Sequence, residues 1–242
     1  MNQHGHTPCG IAFVASAALL AMSALQVEAD GSSVAKIYHP YVQPLERELE
    51  LRLVAEQGRA NEDVRRWRLG YGQALSSSFF AELYVIGEAE GPDAGDVTAY
   101  ELEGLWQLTE QGQYATDWGL LFELEKEHRK DTWEFSTALL AERAWGAWVG
   151  TANAHLTREW GADLRDEWET RLGLQGRYRL SPRLEPAIEF HAAEDLLALG
   201  PAVLGTERLG IRRKLHWEVG LFAGLDADSP ELSARGQLEY EF

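Results

Sequence analysis

Apolar and polar residues alternate one for one from about residue 45 to the end of the chain, and this pattern recurs in about a dozen segments. The first, near 45–56, sets Leu45, Leu49, Leu51 and Leu53 against Glu46, Glu48, Glu50 and Arg52. A period of two puts successive side chains on opposite faces of a strand. Two stretches, LERELELRLVAEQ and GLLFELEKEHRK, are also built from good helix formers. Repetition decides between the readings. A helix does not keep strict alternation through so many segments, spaced about 15 residues apart and broken by turn sequences such as GPDAG and DADSP.

Further segments follow near 64–74, 79–89, 97–109, 116–127, 132–143, 147–160, 166–179, 183–192, 202–209, 214–225 and 231–242. The tenth, 202–209, is the weakest, and its faces stay unassigned. Most segments run about 10–13 residues. Soluble strands cluster near five or six, whereas a tilted strand crossing a bilayer needs about 9–11. The polar set is mostly glutamate and the apolar set is nearly free of charge.

The aromatic residues sort by position within the strands. If odd strands run up from the periplasm and even strands run down, Trp67, Tyr100, Trp133 and Trp168 fall at the outer interface. Trp106, Trp118, Trp148, Tyr178, Trp217, Tyr240 and Phe242 then fall at the inner one. Two aromatic bands with aliphatic residues between them are the girdles of a transmembrane barrel. A sandwich or lipocalin-like core would instead scatter these rings through a dry interior. An open sheet edge is not viable in lipid. The expected fold is therefore all-β, a closed antiparallel up-and-down transmembrane barrel of about 12 strands, with 10 or 14 as alternatives.

The chain has 242 residues and a net charge of −17. That balance argues against nucleic acid, whose binding rests on cations that neutralise phosphates. The apolar run Ile11–Leu25 with Val27 and Ala29 behind it reads as a signal peptide over 1–29. The one cysteine, Cys9, falls inside it. Residues 30–44 read as a periplasmic lead-in, with His39 a tether residue, and residues 45–242 as the barrel.

The last six residues, QLEYEF, carry a further signal. Leu238, Tyr240 and Phe242 alternate on one face and end on an aromatic. This resembles the recognition signal of bacterial outer-membrane β-barrel proteins. The stretches KIYHPYVQPLERELEL and YELEGLWQLTEQGQY are similar to a proteobacterial group described as hypothetical proteins or candidate transporters. The resemblance implies a porin-like protein of the Gram-negative outer membrane, contacting lipid and inserted by the barrel-assembly machinery. It is expected to be a monomer, and the resemblance points to no particular solute.

Function should sit on the inward set. That set comprises Glu48, Glu50, Arg66, Arg68, Glu82, Glu101, Glu103, Glu123, Glu125, Glu134, His155, Glu169, Arg171, Glu189, His191, His216, Glu218, Arg235 and Glu239. In one reading the excess carboxylate lines a water-filled passage that favours cations. In another, arginine and glutamate interlock and close the lumen. A twelve-stranded barrel lies between the side-chain-filled eight-stranded barrel and the open 16-stranded one. His155, His191 and His216 lie on non-adjacent strands, so neither a metal site nor a cofactor is expected. A barrel-embedded lipase or protease is the third reading, but no His-x-Ser pair supports it, and His128 with Asp131 reads as a solvated turn. The expected outer loops, near 57–63, 89–96, 128–131, 160–165, 193–202 and 226–230, are too short to plug a lumen.

Overall fold

The computed structural model describes residues 33–58, 63–90, 95–162 and 167–242. The expected signal peptide and Cys9 lie outside these residues, as do the centres of the loops near 59–62, 91–94 and 163–166. The described chain forms twelve strands: β1 (Arg47–Gln57), β2 (Val64–Ala74), β3 (Phe79–Glu90), β4 (Asp96–Gln107), β5 (Asp117–Glu127), β6 (Thr132–Trp145), β7 (Trp148–Gly161), β8 (Glu167–Tyr178), β9 (Glu185–Ala193), β10 (Leu196–Arg208), β11 (Lys214–Gly224) and β12 (Leu232–Glu241). Each pairs antiparallel with its neighbour in sequence. The first and last also pair, from Glu48 with Glu241 to Gln57 with Leu232, so the sheet is a closed barrel.

The burial pattern inverts that of a soluble protein. Along β1, Glu48, Glu50, Arg52 and Glu56 are buried while Leu49, Leu51 and Leu53 are exposed. Leucines on the outside with carboxylates on the inside is stable only where the surroundings are apolar. The aromatic residues expected in the girdles are on the outer face. Trp148 is 56% exposed and Trp168 63%. At the near end of the barrel, where β1 begins and β12 finishes, Trp148 meets Tyr178 edge-on at 4.9 Å, and Tyr240 stacks with Phe242 at 5.8 Å. At the far end, Lys126 lies over Trp133 and Arg158 over Trp168.

Two strand boundaries differ from expectation. Leu45 sits in the turn before β1 with φ 68°, and β1 starts at Arg47. β10 begins at Leu196, so most of the loop expected over 193–202 is strand. Its inward residues Leu196, Ala198 and Ala202 are apolar, as are its outward residues from Leu197 to Val203. The polarity signal is lost there although the pleat continues.

That apolar inward patch has a partner. Val34 packs against Leu196, Ala198, Phe222 and Val54 in a small dry cluster. From there the chain descends through the lumen. Tyr38 and Val42 join a second cluster with Phe80, Leu105, Leu121 and Leu140. Nine extended residues, Val34 to Val42, cover about 30 Å, enough to run the height of the wall. The segment expected as a periplasmic lead-in therefore lies within the lumen over these residues, and His39 is no free tether. The physical reason is the strand number. Twelve strands enclose more space than their own side chains fill, and the buried polar wall needs partners.

Candidate functional site

The site is the lumen, and its geometry begins with the inward face of each strand. The lead-in is held there by its own backbone. The Asn153 amide accepts from Tyr38 N–H at 2.6 Å and donates to Tyr38 C=O at 2.9 Å. Val42 N–H donates to Gln107 at 2.7 Å, and Arg235 donates to the Ala35 carbonyl. Two glycines on the wall make room. A Cβ at Gly173 would meet Ile37 at 2.5 Å, and one at Gly119 would meet Pro40 at 2.9 Å.

Side chains of the lead-in then reach wall carboxylates in sequence. Lys36 donates to Glu50 at 2.8 Å and also to Glu239. The Tyr38 hydroxyl donates to Glu103 at 2.6 Å. His39 meets Glu142 at 2.5 Å, and Tyr41 donates to Asp117 at 2.8 Å. Charged and hydroxyl donors on a segment otherwise read as a tether thus serve an acidic wall.

The wall also pairs with itself. Arg52 holds Glu50 at 2.6 Å. Arg66 bridges Glu56 and Glu88, both at 2.6 Å, and Arg68 reaches Glu101 at 3.0 Å and Glu125 at 3.7 Å. Arg235 is 1% exposed and donates to Glu189 at 2.7 Å and to Glu218. The histidines take separate partners. His155 lies 3.6 Å from Glu123 and 3.1 Å from Arg171, and His191 lies 3.1 Å from Glu189. His216 sits between Thr206 at 2.9 Å and Glu241 at 3.4 Å, while Lys214 also holds Glu241. The three imidazoles do not converge.

Strand register adds what periodicity could not. Glu101 pairs with Glu125, Glu125 with Glu134, Glu134 with Glu159, and Glu159 with Glu167. A row of carboxylates thus crosses five adjacent strands toward the far end. Glu169 stands two residues from Glu167 on the same inward face of β8. A second row runs through Glu82, Glu103 and Glu123 nearer the middle. At the near end, Glu46 is half-buried beneath β1. Burial first, and the neighbouring Glu241 next, push its carboxyl up to about 7.

No protein family and no curated protein matches the sequence. Solved structures do match. The COG4313 outer membrane channel from Pseudomonas putida F1 is 14% identical, with 86% of this chain and 99% of that chain covered and a TM-score of 0.55. The KdgM porin in complex with disordered oligogalacturonate is 10% identical, with 81% and 98% covered and a TM-score of 0.52. The translocator domain of the autotransporter NalP from Neisseria meningitidis is 9% identical, with 83% and 88% covered and a TM-score of 0.51. At such identities the likeness concerns the fold. A closed barrel with leucines outside and carboxylates inside has the fold of porins and channels of the outer membrane.

Proposed function

We propose that this chain is an outer-membrane channel for small solutes, with an acidic lumen that favours cations and an N-terminal segment that narrows it. The observation that carries the reading is the row of carboxylates from Glu101 to Glu167 across five strands. Carboxylates aligned around a wall concentrate cations and repel anions. Arg68 offsets part of this charge, but it is shared between Glu101 and Glu125. The porin-like fold supports passage over catalysis. In this reading residues 1–29 are the cleaved signal, and Trp106, Trp118, Trp148 and Trp217 share the inner girdle.

The reading is tested by single-channel recording in planar bilayers, with a salt gradient across the membrane. A cation-selective reversal potential is expected, reduced by the double variant Glu125→Gln/Glu134→Gln. Zero current at every voltage, in the full chain and in a variant lacking residues 33–42, would sink it.

A second reading is a closed structural barrel. The filling of the lumen by residues 34–42 and the enclosed, doubly paired Arg235 favour it, and the same recording separates the two. Assembly is proposed to use Leu238, Tyr240 and Phe242. Removing Phe242, whose N–H donates to Arg47 C=O at 2.9 Å at the seam, should lower the amount of folded barrel in the membrane. An unchanged yield would count against that role.

A further inference from the structure

Lys36 is surrounded by more acceptors than one ammonium can use. A lysine ammonium carries three donors and no acceptor. The carboxylate oxygens of Glu48, Glu50 and Glu239 lie within 4.8 Å of one another, and Lys36 donates to two of these groups. Glu82 extends the cluster from β3. Gly70 pairs with Glu50, and a Cβ there would run into the Glu82 carboxylate, whereas one at Gly72 would meet the Phe80 ring first. Gly70 therefore lets Glu82 lie across β2 toward β1.

Three buried acceptors or hydroxyls there stand without a hydrogen-bond partner. They are Oε1 of Glu82, which is 2% exposed, the hydroxyl of Tyr84, and Oε1 of Gln237. Gln237 is aimed into the cluster, for its Nε2 donates to Glu239 at 2.5 Å and reaches Glu50 at 3.5 Å. Buried polar groups normally find partners, so these atoms mark unused binding capacity. The Tyr38 ring lies 5.1 Å from the Lys36 nitrogen and adds a face that attracts cations. A cleft of about 390 Å³ lined by Lys36, Glu48, Glu82, Glu103 and Glu239 gives a small molecule space beside the site.

We propose that Glu48, Glu50, Glu82 and Glu239 form a site for a primary alkylammonium group, which Lys36 fills from within the chain and which a diffusible amine can take in its place. The four carboxylates, the aromatic face and the cleft suit a donor-bearing organic cation. The further consequence, that small amines are among the solutes passed, rests on the channel reading above.

The test uses the full chain, folded in detergent. In Lys36→Met the site loses its tethered occupant. Titration calorimetry should show butylammonium binding that is absent from the parent protein at the same concentrations. It should be at least about tenfold tighter than tetramethylammonium, which has the charge but no N–H to donate. Equal binding of both cations, or no gain over the parent protein, overturns the site.

Should Lys36→Met not reach the folded barrel, the parent protein decides. At concentrations well above those of the calorimetry, where it competes with Lys36, butylammonium should speed tryptic cleavage after Lys36 several-fold over tetramethylammonium at equal ionic strength, because cleavage requires Lys36 to leave its cage. Equal rates in the two salts overturn the proposal. Binding without any bilayer current would leave the site standing and sink the channel reading. Current without amine binding would do the reverse.

Discussion

Two cations inside the barrel meet opposite conditions. Arg235 on β12 faces Glu189 and Glu218 and the Ala35 carbonyl, and is almost fully enclosed. Lys36, on the lead-in, faces a cluster with carboxylates to spare. In the first region one enclosed guanidinium bridges two carboxylates, and the contact ties three strands together. In the second the cation stands on a segment outside the sheet, beside a carboxylate, Glu50, that Arg52 also holds. A guanidinium bridged between two strands of the wall acts as a strut, whereas surplus carboxylate around an ammonium on the lead-in is a place where partners can exchange.

The comparison is broken most severely by removing the strut. Arg235→Met leaves Glu189 and Glu218 buried without their cation, and should cost about 3–5 kcal/mol of stability in urea unfolding from detergent. A change below about 1 kcal/mol would mean that the network is not enclosed in solution. Loosening the lead-in should cost less. Asn153→Ala strands both backbone groups of Tyr38, with a penalty of up to about 3 kcal/mol. Tyr38→Phe removes the bond to Glu103 and should cost about 1.5 kcal/mol. Both variants should raise bilayer current or protease access to residues 34–42 while leaving the barrel folded. Loss of the barrel itself would show that the segment is part of the strut.

The smallest effect concerns Glu46 at the near end. Its carboxyl is raised from 4.5 to about 7 by burial and by Glu241. The folded state therefore holds this proton more tightly than the unfolded one. The Glu46 contribution is fully present below pH 4.5 and declines as pH rises to about 7. Glu46→Gln should flatten that part of the stability profile. A slope unchanged between pH 4.5 and 7 would remove Glu46 from the account.

How much of this was legible depends on which physical signal each element left in the sequence. β1 is readable because its two faces differ in polarity over most of its length, and the inward Glu48, Glu50 and Arg52 alternate with outward leucines. β10 is not, because its inward Leu196, Ala198 and Ala202 match its outward face in polarity. They serve Val34, a partner more than 150 residues away in sequence. The lead-in has no regular period, and its backbone bonds go to side chains such as Asn153 and Gln107. Only the enclosed volume of the barrel shows that KIYHPYV belongs inside. Alternation placed Glu125 and Glu134 on the inward face, but their alignment into a row depends on strand register. That register is set by turns and pairing and leaves no local trace.

The seam between β1 and β12 has a consequence for the order of events during assembly. The lead-in immediately precedes β1, and β1 can complete its pairing only when β12, the last strand made, is present. Residues 34–42 need not be threaded through a finished ring. They can lie along the curved inner surface of a growing sheet and be wrapped as its edges meet. Contacts such as Tyr38 with Asn153, 115 residues apart, would then form before the longest-range pairing in the molecule. The segment that narrows the lumen would also act as the mandrel on which the cylinder closes.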